Sequence, residues 1–177
     1  MLYLARHGQT AYNAAGRFQG WLPVPLDGLG REQAQALALD AQALAPRTLV
    51  SSHIERARET AAIVGAQLGL EPIIDERFAE TDAGDWTDRE FADVLSEDPD
   101  GFARFVALDI DWGFPGGERF ADQQARVLDA IADWRARSEQ HPVLVVCHGN
   151  TIRLALAALQ QGGAAGERPA NGSCVAL

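Results

Sequence analysis

Short apolar runs alternate with longer stretches of helical periodicity along this chain, and this alternation limits its fold more than any other feature. Residues 143–146, Val-Leu-Val-Val, form the clearest run. Four consecutive aliphatic residues are typical of a strand buried on both faces, as in a parallel sheet. Residues 55–68 and 120–138 instead repeat their apolar residues at helical spacing. The pattern predicts an α/β fold in three layers, with a mostly parallel central sheet flanked by helices.

The same reading extends along the chain. A length of 177 residues suits one domain with a substantial core, and no linker or repeat interrupts it, so residues 1–177 are expected to form a single domain. The irregular stretch at 87–115 is expected to be an insert at the rim of a pocket. The other predicted strands are residues 2–5, 48–51, 72–74 and 173–177, and the other predicted helices are residues 30–45 and 151–160.

Composition excludes several classes of function. The net charge of −10 argues against nucleic-acid binding, which needs a basic surface. All 15 basic residues are arginine, so P-loop NTPases and lysine Schiff-base enzymes are excluded. No apolar run approaches 18 residues, and no signal peptide is visible, so no membrane association is expected. Two cysteines cannot form a disulfide scaffold, which favours a reducing, cytoplasmic setting.

Two histidines occupy equivalent places in the predicted fold. His7 and His148 each follow a predicted strand closely, and each precedes a glycine. Ligand sites of open α/β sheets lie at the carboxyl ends of the strands, so the two side chains are expected to face one another there. The glycines allow the backbone to approach a ligand closely.

Two arginines lie in similar positions. Arg6 precedes His7, and Arg56 follows the predicted strand at 48–51, near the start of a helix. An arginine beside a helix N-terminus favours an anion. Together these residues predict an anion site built around two histidines.

Five short blocks in fixed order extend this pattern over nearly the whole chain. They are Arg6-His7-Gly8-Gln9-Thr10 with Asn13, Phe18, Gly20-Trp21, Leu26 and Gly30; Ser51-Ser52 to Arg56-Ala57 with Thr60-Ala61; Glu80 with Gly84 and Trp86; Pro115-Gly116-Gly117-Glu118; and Val146 to Gly149. In this order the blocks resemble those of the histidine phosphatase superfamily, the phosphoglycerate mutase-like group, in its mainly intracellular branch.

The resemblance implies a phosphatase that hydrolyses small phosphomonoesters through a phosphohistidine on His7. It implies that Glu80 is the acid that protonates the leaving oxygen, although Asp82 and Asp85 lie close to it in sequence. Phosphoryl transfer spreads charge over equatorial oxygens, which arginine stabilises well, and a neutral imidazole attacks without a separate base. No metal or cofactor is then needed. The residues expected to hold the phosphoryl oxygens are Arg6, Arg56 and His148, with Asn13 assisting.

A phosphoglycerate mutase using the same site is the main alternative. A mutase must hold a second anionic group, and in the resembled family the insert before the Pro-Gly-Gly-Glu turn helps to provide it. Residues 87–115 contain eight acidic residues and two basic ones. An acidic rim would repel a bisphosphate, which favours hydrolysis over isomerisation.

A cysteine-dependent phosphatase is a second alternative. Cys147 begins a literal C-x5-R match that ends at Arg153. Arginine is frequent in this chain, and Leu154 stands where a hydroxyl residue would assist the leaving thiolate, so a small buried cysteine is expected instead. A non-catalytic phospholigand-binding domain is a third alternative, which the presence of both His7 and Glu80 disfavours. The four histidines show no metal-binding spacing.

Overall fold

The computed structural model of the protein describes residues 1–159 and 168–177. Within these residues it forms one five-stranded sheet with helices on both faces. The strands are β1 (Leu2–Arg6), β2 (Thr48–Ser51), β3 (Ile73–Ile74), β4 (Val143–Cys147) and β5 (Cys174–Ala176). The α-helices are α1 (Ala11–Ala15), α2 (Gly28–Leu44), α3 (Glu55–Leu68), α4 (Phe91–Glu97), α5 (Pro99–Ala107), α6 (Phe120–Ser138) and α7 (Gly149–Leu159).

The strand order of the sheet is β3-β2-β4-β1-β5. The first four of these strands run parallel, and β5 pairs antiparallel with β1 at the edge. The register between the two central strands aligns Arg6 with Cys147. His7 and His148 therefore leave the sheet side by side, at the carboxyl ends of β1 and β4. The predicted α/β fold with a mostly parallel sheet is confirmed.

The apolar run of β4 is explained by the two layers that cover the sheet. Val143 and Val145 pack in a core with side chains of α6 and α7, whereas Leu144 and Val146 pack in a second core with side chains of α2 and α3. Successive side chains of a strand point to opposite faces, so a strand covered on both sides must be apolar at every position. All four residues have an exposed fraction of 0%.

Residues 87–115 contain the two short helices α4 and α5 and lie over a third apolar cluster. Its aromatic rings contact one another at centroid distances between 4.4 and 6.5 Å, in tilted and edge-to-face arrangements that aromatic pairs prefer. This cluster joins the insert to the main body of the protein. Its largest members are Phe18, Phe91, Trp86, Phe105, Trp112, Phe114 and Phe120.

Two helices differ from the prediction in their boundaries, and a third, α1, is missing from it. α2 is Gly28–Leu44, where residues 30–45 are predicted. α7 begins at Gly149, two residues early, because the Ile152 N–H donates to the His148 carbonyl at 3.0 Å. Its predicted end at residue 160 lies outside the described residues. α1 is missing from the prediction because none of its five residues is buried, so it has no apolar periodicity. Among the described helices, none has the length and apolarity to cross a membrane.

Candidate active site

His7 and His148 meet at the carboxyl edge of the sheet. Their ring centroids are 5.2 Å apart, and the exposed fractions of the two residues are 2% and 0%. Both follow central strands whose register aligns them, so the expectation that the two histidines face one another agrees with the structure.

The hydrogen bonds of His7 fix its tautomer. Nδ1 lies 2.6 Å from the Gly8 carbonyl oxygen, which only accepts, so Nδ1 carries the proton. Nε2 is then unprotonated, and its lone pair accepts a hydrogen bond from Nε of Arg56 at 3.2 Å. A neutral imidazole with Nε2 unprotonated is the form of histidine that acts as a nucleophile.

Arg56 is the largest fully buried side chain of the described residues. It lies in the first turn of α3, and its guanidinium also donates to the carbonyl oxygens of Gly20 at 2.9 Å and Leu22 at 3.4 Å. The partners in these contacts are uncharged, and Glu80 acts on the Arg56 cation only through its more distant charge. The electrostatic field at His7 is therefore positive.

The positive field and the burial of the site both change the pKa values of its titratable side chains. Burial, followed by the charges of Arg56 and Arg6, holds the pKa of His7 well below its usual value. Burial, followed by Arg56, does the same to the pKa of His148. Burial also lowers the pKa of Arg6 and that of Arg56 to about 10, so both remain cations at neutral pH. The site combines neutral imidazoles with charged guanidiniums.

Two buried hydrogen-bonding atoms of the site have no protein partner, Nε of Arg6 and Nδ1 of His148. Nε2 of His148 lies 2.8 Å from Oγ of Ser52, which already accepts from the Ile54 N–H at 3.2 Å. The serine hydroxyl is thus able to donate to Nε2, which leaves a proton on Nδ1. A buried donor without a partner destabilises the protein by about 1–3 kcal/mol. An anion bound here would satisfy both donors.

Glu80 lies at the same cleft. Its Oε1 accepts from the Thr81 N–H at 3.0 Å, and its Oε2 from the Asn150 N–H, in the first turn of α7, at 3.4 Å. Asp82 instead caps a turn through the Gly84 N–H, and Asp85 is exposed beside the Pro-Gly-Gly-Glu turn. Of these three carboxylates, Glu80 is the one that lines the cleft.

The Pro-Gly-Gly-Glu turn stabilises the chain that carries Glu80. Glu118 forms a two-pronged ion pair with Arg126 of α6, at 2.7 and 2.8 Å. The same guanidinium donates to the carbonyl oxygens of Arg77, Ala79 and Glu80 at 2.8, 2.9 and 3.1 Å. Neither Glu118 nor Arg126 lines the cleft, so their contribution to the site is to hold the backbone of Glu80 in place.

The comparisons with known proteins agree with this geometry. A family model described as the histidine phosphatase superfamily (branch 1) matches residues 2–174. The chain belongs to this superfamily. A glucosyl-3-phosphoglycerate phosphatase of Mycolicibacterium vanbaalenii is 38% identical over 165 residues, which cover 89% of this chain and 73% of that protein.

A solved structure of a mycobacterial glucosyl-3-phosphoglycerate phosphatase in complex with VO3 superposes on this histidine phosphatase with a TM-score of 0.89. It is 35% identical, and the match covers 98% of this chain and 90% of that one. A protein of Enterobacter sp. that is named "Probable phosphoglycerate mutase GpmB" is 33% identical over 84% of this chain and 69% of its own length. The prediction of a phosphatase that acts on phosphomonoesters is confirmed by the relatives that are named as phosphatases.

The cleft of this histidine phosphatase collects most of the residues that the sequence predicts. Asn13 lines it near the start of α1, where its Oδ1 accepts from the Thr10 N–H at 3.1 Å. His148 contacts the ring of His7 and does not itself line the cleft. The described residues that line the cleft are Arg6, His7, Asn13, Arg17, Phe18, Gln19, Gly20, Arg56, Glu80, Thr81, Ala83, Phe91, Phe105, Phe114, Gly149, Asn150 and Arg168.

The acidic insert does not make the cleft acidic. Its three contributions to the lining are the aromatic residues Phe91, Phe105 and Phe114. Several of its carboxylates form ion pairs with arginines instead, as Asp88 does with Arg17 at 2.8 Å. The charge-repulsion argument against a mutase stays a prediction, and the predicted hydrolase is confirmed by the relatives that are named as phosphatases.

Cys147 is placed as a core residue. It has an exposed fraction of 0%, packs among the side chains between the sheet and α6 and α7, and does not line the cleft. Burial raises the pKa of its thiol well above the usual value, which disfavours the thiolate. Cys147 is thus not placed as a nucleophile of the cleft.

Five polar residues that line the cleft are absent from the predicted site: Arg17, Gln19, Thr81, Asn150 and Arg168. Gln19 is buried, and its Oε1 accepts from the Thr10 hydroxyl at 2.8 Å, so its amide N–H₂ group remains available. Its place within the first sequence block is a signal that could have indicated it. Arg168 has no such signal, because it lies ahead of β5 in a segment that is held by hydrogen bonds of Arg6 with Pro169 and Gly172.

Proposed function

We propose that this chain hydrolyses small phosphomonoesters in two phosphoryl transfers, with His7 carrying the phosphoryl group between them. The proposal rests chiefly on the unprotonated Nε2 of His7, which is buried and accepts a hydrogen bond from the guanidinium of Arg56. In the first transfer the Nε2 lone pair attacks phosphorus, an N–P bond forms, and the ester P–O bond breaks. The departing oxygen takes a proton from the Glu80 carboxyl group.

In the second transfer a water molecule attacks the phosphohistidine and gives a proton to the Glu80 carboxylate. The N–P bond breaks, inorganic phosphate leaves, and His7 is again neutral. Charge that develops on the phosphoryl oxygens is stabilised by Arg6, Arg56 and Nδ1 of His148, with Asn13 assisting. The two unpartnered donors of the free protein support this assignment, since the phosphoryl group would satisfy them.

The names of the relatives suggest candidate substrates. Glucosyl-3-phosphoglycerate and phosphoserine are both phosphomonoesters whose leaving alcohol carries a carboxylate. We also propose a cytoplasmic location, because Cys147 and Cys174 are free thiols. We further propose that residues 1–177 form a single catalytic domain, with residues 87–115 at the rim of its cleft.

Phosphoglycerate mutase activity is the second candidate, and the similarity to the Enterobacter protein favours it. A reaction with 3-phosphoglycerate and catalytic 2,3-bisphosphoglycerate separates the two functions. Hydrolysis releases inorganic phosphate faster than it forms 2-phosphoglycerate. Rapid isomerisation with negligible release of phosphate would show that the chain is a mutase.

A further inference from the structure

Arg168 lies at the mouth of the cleft, next to the proposed phosphoryl site but separate from its floor. It is exposed, and its Nη2 donates to Oδ1 of Asn150 at 3.4 Å. Its guanidinium carbon lies 6.0 Å from the centre of the Phe105 ring, within the range of a cation–π contact. An amide and an aromatic face thus orient this cation without neutralising it.

Arg168 and Arg6 both lie close to Gly149, which limits the distance between them. A Cβ atom built on this glycine would lie 3.5 Å from Nε of Arg168 and 3.5 Å from Nε of Arg6. The two Nε atoms are therefore at most about 7 Å apart. Arg6 points inward and is buried, whereas Arg168 is exposed. A molecule with two anionic groups separated by a few bonds would span this distance.

Arg168 has no ion-pair partner among the described residues. Among the described residues, no carboxylate lies within the 4 Å ion-pair distance of the Arg168 guanidinium, whereas Arg17 on the cleft wall pairs with Asp88 at 2.8 Å and Glu90 at 3.3 Å. The charge of Arg168 is, after burial, the second cause that lowers the pKa of Arg6 to about 10. Two cations therefore repel one another across Gly149, and a second anion would relieve this repulsion.

We propose that Arg168 binds a carboxylate on the leaving alcohol of the substrate, and so makes the enzyme selective for phosphorylated hydroxy acids. This inference rests on the proposed phosphatase function. The planar guanidinium fork matches a carboxylate with two parallel hydrogen bonds. The cleft wall formed by Phe91, Phe105 and Phe114 is uncharged. These rings do not bind a carboxylate, whereas Arg168 does.

Two substrates that differ in one group test the proposal. 3-Phosphoglycerate and glycerol 3-phosphate share the phosphate and the three-carbon chain, but one carries a carboxylate where the other carries a hydroxymethyl group. We expect a higher kcat/KM for 3-phosphoglycerate in the wild type. Arg168→Gln should lower that value about tenfold, as expected for a charge-assisted hydrogen bond, and change the value for glycerol 3-phosphate by less than about twofold.

The matched control is Arg104→Gln, which removes a rim arginine that pairs with Asp109 at 2.7 Å and does not line the cleft. It should leave both kcat/KM values unchanged. Equal losses on both substrates in Arg168→Gln would mean that Arg168 acts on the phosphoryl group, and no loss on either would mean that it binds nothing. Both results overturn the proposal. If the wild type hydrolysed neither substrate nor p-nitrophenyl phosphate, the phosphatase function itself would fail, irrespective of Arg168.

Discussion

Burial of His7 and His148 beside guanidinium groups couples the stability of the protein to pH. The pKa of each ring is held well below its ordinary value of 6.5 in the folded state. As the pH falls through about 6.5, the unfolded chain gains protons on these rings while the folded protein does not. Stability is therefore complete above this pH and is lost as the pH falls below it.

The magnitude follows from the linkage relation. Between about pH 7.5 and about pH 5.5, protonation of one such histidine in the unfolded state lowers the free energy of unfolding by about 1.4 kcal/mol, and of two by about 2.7 kcal/mol. Carboxylates contribute at lower pH, because the pKa values of Asp75, Asp88 and Asp109 are lowered from 3.8. These three carboxylates therefore add little to the change in stability near pH 6.

Urea unfolding at a series of pH values measures this effect. The wild type should lose about 2.7 kcal/mol across the window, His7→Gln about half of that, and the double variant with His148→Gln nearly none. The quantity compared is the slope of the free energy of unfolding against pH, so the change in stability that each substitution causes at pH 7.5 cancels. A wild-type stability that is flat across the window, or an equal slope in the double variant, would refute the reasoning.

Two predictions concern the reacting groups. Glu80→Gln should lower kcat on alkyl phosphates such as glycerol phosphate by about 10²–10⁴-fold. The loss should be far smaller on p-nitrophenyl phosphate, because its leaving group needs no proton. If Asp82→Asn showed this dependence on the leaving group instead, the acid would be Asp82. Cys147→Ser should keep a substantial fraction of the activity, since the thiol lies in the core, whereas a loss as deep as that of His7→Ala in a folded variant would indicate a cysteine nucleophile.

Most of the sheet could be predicted from the sequence because its central strands are covered on both faces. The uninterrupted apolar run at 143–146 reports that environment directly. The residues that follow buried parallel strands must gather at one edge, so His7 and His148 could be placed there without knowledge of the register. Arg56 could be placed for the same reason, since it follows β2 closely.

The walls and mouth of the cleft could not be predicted in the same way. Arg168 lies ahead of β5, a three-residue strand that has little signal of its own. The aromatic contribution of Phe91 and Phe105 depends on how α4 and α5 pack, which their short apolar patterns do not specify. The net charge of residues 87–115 does not specify the cleft, because Glu97 and Asp109 pair with arginines that do not line it, whereas Asp88 pairs with Arg17 on its wall.

Trapping of the phosphoenzyme tests the central proposal most directly. The enzyme is quenched during turnover of a ³²P-labelled phosphomonoester, either in base or in acid that is mild enough to leave phosphohistidine intact. It should carry a label that is acid-labile and base-stable. Peptide mapping should locate this label on His7. The label should be absent from His7→Ala and present in Cys147→Ser. Label that persists in a folded His7→Ala variant, or that maps to another residue, would contradict the account.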